Sequence, residues 1–237
     1  MTPSCLTVGY VPGVTPAKWA RTWAERHPEV PLRLHPMAAA DAVDAVRDGT
    51  VDVALLRPPA AVSGIAVIGL YEETTVVVVP TDHLFGAADE VAAADLRDQP
   101  VLLPLDDVVS WTAAPGVMVE YRPATTGEAM ELAAAGTGAL IVPQSLARLH
   151  HRRDLVYRPI ADAPSCPVAL AIPDGEQPEL VEEFIGIVRG RKPSSSRGRA
   201  EPAPKRTARE KTLAKQAARA AAGKVARTPG PTRRGRR

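Results

Sequence analysis

The chain runs to 237 residues, 45% of them apolar but only 4% aromatic, so any core must be built from alanine, valine and leucine. No stretch of 18 or more apolar residues occurs, which excludes an ordinary membrane-spanning helix. The net charge of +2 hides two parts of opposite sign: residues 1–190 hold 13 Lys/Arg against 25 Asp/Glu, and residues 191–237 hold 16 Lys/Arg against Glu201 and Glu210 alone. This asymmetry predicts a folded acidic domain followed by a basic arm suited to a polyanion.

Met1–Cys5 contains no basic segment leading into an apolar one, so the chain reads as lacking a secretory leader. Leu6–Tyr10 is a short strand that runs into the loop Val11–Val14. Thr15-Pro16 opens a helix: the threonine can cap it, and proline suits the first helical position because its missing N–H has no partner to lose there. Trp19 and Trp23, four residues apart, share one face of that helix, which His27-Pro28 ends. Their spacing predicts core packing or a dimer seam. Val30–Leu34 is the second strand, Asp41–Asp48 a short helix stopped by Gly49, and Val51–Leu56 a buried third strand.

Glu73–Pro80 contains four consecutive valines, Val76 to Val79, and reads as a strand through the interior. A short segment from Asp95 leads to the strand Val101–Leu105. The strand Val117–Arg122 precedes the helix Thr126–Ala135, capped by Thr125 or Thr126. Gly136-Thr137-Gly138 ends that helix, and Ala139–Val142, Leu155–Tyr157 and Val168–Ile172 are further strands. Pro178–Arg189 closes the domain as an amphipathic helix with Leu180, Phe184, Ile187 and Val188 on its apolar side. This alternation of short apolar strands with helices predicts an α/β fold with a mostly parallel sheet.

Enzyme signatures do not occur. There is no Gly-x-Ser-x-Gly elbow, no phosphate-binding P-loop and no His-Glu-x-x-His helix. Gly136-Thr137-Gly138 follows a helix and has no third glycine, so it is a stop signal and not a dinucleotide site. His150-His151 has no second ligand pair at metal spacing. The expectation is a non-enzyme without cofactor or metal. Cys5 and Cys166 are the only cysteines, and they read as two free thiols of a cytoplasmic protein.

Three ordered stretches resemble the effector-binding domain of LysR-type transcription regulators. They are Leu6–Tyr10 with Arg26–Leu34 after a capped helix, then Asp44–Arg57 with its helix, glycine turn and Asp-x-Ala strand, then Ala135–Pro143. Leu70–Glu73 and Val77–Leu84 lie between them at the family's spacing. The resemblance implies two Rossmann-like lobes joined by two crossover strands, the type II periplasmic-binding-protein fold. Lobe I would comprise residues 5–78 and 163–190, and lobe II residues 79–162. It further implies a small organic ligand in the interlobe crevice and a homodimer formed through Pro16–Arg26 and Thr126–Ala135. Because the likeness begins at the first strand, the chain is expected to lack the family's DNA-reading helix-turn-helix.

Ligands of such folds bind at the carboxyl ends of strands. The candidate effector residues are therefore Val14 and Thr15 at one helix start, Thr125 and Thr126 at another, Arg57 after the third strand, and Pro104 after a strand of lobe II. Helix N-termini and an arginine both suit a carboxylate. The same residues also have plain readings, as helix caps and as an arginine paired with a nearby acid. Met37-Ala38-Ala39-Ala40 stands where many relatives have a hydroxyl residue, which predicts a less polar pocket or one without an effector. Asp106-Asp107 reads as a solvated turn.

Past residue 190 the chain is dominated by Ala, Lys, Arg, Pro and Gly with a single leucine, Leu213, too apolar-poor to offset the roughly 1–2 kcal/mol per residue of backbone ordering. Disorder is expected over 191–237, with contacts to nucleic acid through phosphates and not bases. Arg191, Lys192, Arg197, Arg199 and Lys205 are the first candidates. Arg206, Arg209, Lys211, Lys215 and Arg219 continue them. The competing expectation is a dimeric interaction protein with a nucleoid-binding tail and no effector.

Overall fold

A computed structural model describes residues 5–58 and 63–191. The first strand, β1 (Leu6–Tyr10), pairs in parallel with β2 (Leu32–Pro36) on one side and β3 (Val53–Leu56) on the other. Helices α1 (Ala17–Arg26) and α2 (Ala42–Arg47) make the connections. Two more strands, β4 (Ile65–Glu73) and β10 (Cys166–Pro173), complete a five-stranded sheet in the order β2-β1-β3-β10-β4. The second sheet contains β5 (Thr75–Pro80), β6 (Pro100–Leu102), β7 (Val117–Met118), β8 (Ala139–Pro143) and β9 (Leu155–Pro159), in the order β7-β6-β8-β5-β9. Helices α3 (Thr126–Ala134) and α4 (Gln144–Leu149) belong with it, and α5 (Glu179–Val188) closes the first lobe.

Both sheets are mixed, which corrects the expectation of mostly parallel strands. β10 runs antiparallel to both β3 and β4, with Cys166 opposite Glu73 and Pro173 opposite Ile65. β5 is antiparallel to β8 and β9. The reason in the first sheet is the path of the chain, which leaves along β4, builds the second lobe, and returns along β10 in the opposite direction.

The four valines show why β5 is an interior strand. Val76 and Val78 face a core with Met130 and Ala133 of α3, while Val77 and Val79 face the opposite core with Phe85 and Leu96. All four are buried, as a strand covered on both faces requires. Because β5 pairs within the second sheet on both its sides, the chain changes sheet at Thr74 and not at residue 78.

The return passage is Ile160–Ser165, and Thr75 ties the two passages together. Its hydroxyl, 2% exposed, donates to the Pro164 carbonyl at 2.5 Å and lies 3.5 Å from the Cys166 sulfur. Ile160 N–H donates to the Thr75 carbonyl at 3.0 Å.

On the first lobe, Trp23 is buried against Phe184 of α5, and its indole N–H donates to the Val30 carbonyl at 2.8 Å. Trp19 is half-buried against the same core. Thr15 does not cap α1. Pro16 takes that position in helical backbone geometry and its carbonyl accepts from Trp19 and Ala20, so the helix begins one residue later. The second strand lies at Leu32–Pro36 rather than Val30–Leu34, set by its register with β1 from Leu6 opposite Leu32.

Candidate functional site

Two cavities lie between the lobes. The larger, about 740 Å³, is lined on one side by Ala39, Ala40 and Val43 at the start of α2 and by Leu56 and Arg57 at the end of β3. Residues 107–110, in the loop after β6, line its other side, and Ser165 and Pro167 of the return passage close the back. The smaller, about 520 Å³, lies among the β1–α1 loop from Pro12 to Thr15, Met37 at the end of β2, and Ser145, Arg148 and Leu149 of α4. Both volumes suit a single small molecule.

Arg57 stands between them. Its Nε and Nη2 donate to the Glu73 carboxylate at 3.1 and 2.7 Å, Nη1 donates to the Pro12 carbonyl at 3.0 Å, and Nη2 also donates to the Ser145 hydroxyl at 2.8 Å. The two charged side chains are only 6% and 9% exposed. One guanidinium thus ties β3, the β1–α1 loop, the end of β4 and α4 of the other lobe. Four of its five N–H groups are committed within the chain.

Gly13 permits this closeness. Its φ is +82°, and a Cβ there would lie 2.6 Å from the Ser145 hydroxyl and 3.1 Å from Arg57 Nη2. Any side chain would push the lobes apart.

The adjacent carboxylates Asp106 and Asp107 diverge. Asp106 accepts from the Thr126 hydroxyl at 2.9 Å, beside the start of α3. Asp107 is half-buried in the wall of the larger cavity, where Oδ1 accepts from Val109 N–H at 3.1 Å. Burial pushes its carboxyl above the ordinary 3.8, against smaller opposing effects of backbone N–H groups and of Arg122. The expectation of a solvated turn therefore holds for Asp106 at most. On the return passage, burial likewise raises the Cys166 thiol, although its bond with Thr75 and the charge of Arg57 oppose this. Cys5 and Cys166 are both free.

The expected site residues do not all converge. Val14, buried, and Thr15, exposed, line the smaller cavity, whereas Arg57 lines the larger. Thr125 and Thr126 line neither. The Thr125 hydroxyl caps α3 by accepting from Glu128 N–H at 3.1 Å, and Thr126 is 4% exposed with its hydroxyl given to Asp106. Pro104 is also buried away from both cavities, its carbonyl accepting from Arg122 at 3.1 Å.

Sequence reasoning took Asp107 for part of a solvated turn and left it out of the site, although it follows β6 at a carboxyl strand end, where this class of fold puts its ligands. Ala39 and Ala40, singled out for lacking a hydroxyl, do line the larger cavity. Among the described residues, no three His, Cys, Asp or Glu converge to hold a metal ion, and no helix is long and apolar enough to cross a membrane. The nucleic-acid candidates from Lys192 to Arg219, and the expected disorder of the tail, lie outside the described residues.

Residues 6–193 match the family model described as the LysR substrate binding domain. The chain is 28% identical over 201 residues to the Hca operon transcriptional activator HcaR of Escherichia coli K12, covering 78% of this chain and 67% of that protein. It is 27% identical over 186 residues to a probable hydrogen peroxide-inducible genes activator of Streptomyces viridosporus, covering 72% and 59%. The chain thus spans about two thirds or less of the length of these relatives.

Among solved structures, the effector binding domain of BenM with its effector benzoate superposes with a TM-score of 0.66 at 20% identity, covering 80% of this chain and 92% of that one. The oxidized form of OxyR gives 0.66 at 18% identity, covering 79% and 94%. These two likenesses show the fold.

Proposed function

The chain belongs to the family of LysR substrate binding domains, and we propose that it senses a small organic acid held in the larger cavity between its lobes. The observation that carries this reading is the cavity's lining: both lobes and the return passage contribute, so an occupant touches every part that a change of lobe angle would move. A ligand that binds one lobe arrangement better than another shifts the balance toward it. The smaller cavity, with Val14 and Thr15 at the start of α1, extends the same cleft beyond the Arg57 bridge.

The basic arm supplies the second part of the proposal. Residues 191–237 neutralise nucleic-acid phosphates without reading bases, and hold the domain beside DNA in the cytoplasm as a homodimer. The relatives matched are transcriptional activators, and the chain acts in regulation and not as an enzyme.

Thermal denaturation against a panel of small carboxylic acids tests the sensing function. A true effector at a hundred times its Kd should stabilise the domain by about 2.7 kcal/mol. Ala40→Phe, which places a ring in the cavity from an exposed position, should abolish that gain while leaving the unliganded Tm nearly unchanged. A panel without a single stabilising acid rejects the sensing role. It would favour the second reading, a dimeric interaction protein without effector, for which the internal commitment of Arg57 and the alanines at 39 and 40 speak.

A further inference from the structure

The charges around the larger cavity do not balance. Arg57, on the lobe I wall, is neutralised by Glu73 at 2.7 Å, and Arg47 is paired with Asp44 one helical turn away. Asp107, on the lobe II wall, has no ion-pair partner among the described residues. Arg122, whose charge acts on it, spends its guanidinium on the Leu103 and Pro104 carbonyls at 3.1 Å each.

Asp107 accepts from Val109 N–H of its own loop through Oδ1, with Val108 N–H also acting on the carboxylate, and among the described residues no side chain donates to Oδ2. A carboxylate left half out of water without a counter-charge is unfavourable unless something arrives to pair with it. The hydroxyls of Ser110 and Ser165, also in the lining, can add hydrogen bonds but no charge.

We propose that Asp107 selects a ligand bearing a protonated amine, so that the cleft takes an amino acid rather than a simple carboxylic acid. This rests on the reading of the cavity as the effector site and narrows its ligand class. The ammonium group binds the free Oδ2 of Asp107 on the lobe II wall. The rest of the molecule lies along Ala39, Ala40 and Val43, an apolar stretch that accommodates a hydrocarbon side chain. Because the amine is held by one lobe and the side chain by the other, the ligand bridges the cleft.

Matched pairs differing only in the amine provide the test, with the full-length chain and isothermal titration: L-phenylalanine against 3-phenylpropionate, L-leucine against 4-methylpentanoate, and 4-aminobutyrate against butyrate. At least one amine-bearing member is expected to bind about ten-fold or more tightly than its partner, as a charge-assisted hydrogen bond in a partly buried site requires. Asp107→Asn, which keeps the acceptor for Val109 N–H, is expected to remove that preference while leaving the partner acid unaffected. Equal affinity within every pair that binds, or an undiminished preference in Asp107→Asn, overturns the assignment of Asp107 and leaves the cleft as an ordinary acid site. Failure of all six compounds, with binding by other carboxylic acids in the thermal panel, likewise overturns the amine preference. Failure of all compounds in both experiments overturns the effector site itself.

Discussion

At the scale of single residues, the cleft is organised by two charges with opposite fates. Arg57 is buried with its counter-ion, so its removal leaves Glu73 as an uncompensated carboxylate. Arg57→Ala is expected to cost about 3–5 kcal/mol in urea unfolding, and Arg57→Met with Glu73→Leu to recover a large part of that loss. An Arg57→Ala protein as stable as the parent would mean that water reaches Glu73 freely.

Asp107 behaves in the opposite sense. Its raised carboxyl favours the folded state fully below the ordinary value of 3.8, and that contribution is lost as pH rises through the higher folded value. Asparagine cannot ionise. Asp107→Asn should therefore unfold at a higher temperature than the parent at pH 7, with the advantage fading below pH 3.8. Calorimetry at both pH values measures it, and identical melting at pH 7 would contradict the burial argument. Of these two residues, only Arg57 was legible beforehand as a site residue, because a lone arginine after a buried strand stands out, whereas two adjacent acids in a loop read as a solvated turn and nothing local says which of them is turned inward.

At the scale of elements, the helix starts separate a working cap from an apparent one. Thr125 accepts from Glu128 N–H, whereas Thr15 is exposed and makes no cap bond. Thr125→Ala is expected to destabilise by about 1 kcal/mol. Thr15→Ala should stay within about 0.5 kcal/mol, as an exposed substitution away from caps does. Chemical denaturation of the two variants side by side distinguishes them.

Elements with strong local signals were legible. β1 coincides with its expected span, and β5 was found through its valines, whose alternation between two cores marks a strand buried on both faces. β4 and α4 were not foreseen. β4 is an edge strand whose residues are mostly part-exposed, and α4 has six residues, too few to show a helical period. β2 is likewise an exposed edge strand, placed by its pairing with β1 more than by its own hydrophobicity.

At the scale of the whole molecule, an anionic sensing domain is joined to a cationic arm. If about six of the sixteen basic residues in 191–237 contact phosphates, the slope of log affinity against log salt should be near −5, at about −0.9 per phosphate. Filter binding to unrelated duplexes should give the same slope for each, and deletion of 193–237 should abolish retention. A flat salt dependence would assign the arm to solubility alone. The connection between the two sheets belongs to this scale too. Two passages, at Thr74 and at Ile160–Ser165, carry all the covalent continuity between the sheets, and Thr75 fastens them side by side.

The amino-acid order alone determined the division of charge, the buried strands, the glycine stop after α3 and the resemblance to a sensing domain, because each is written in neighbouring residues or in a short period. Tertiary structure alone decided which polar groups face the cleft. Arg57 meets Ser145 across 88 positions, and Asp107 is turned into the wall while Asp106 is drawn to Thr126 across 20. A hydrogen bond or ion pair is chosen by which groups are left without water when loops from separate strands meet, and that meeting has no local signature in the chain.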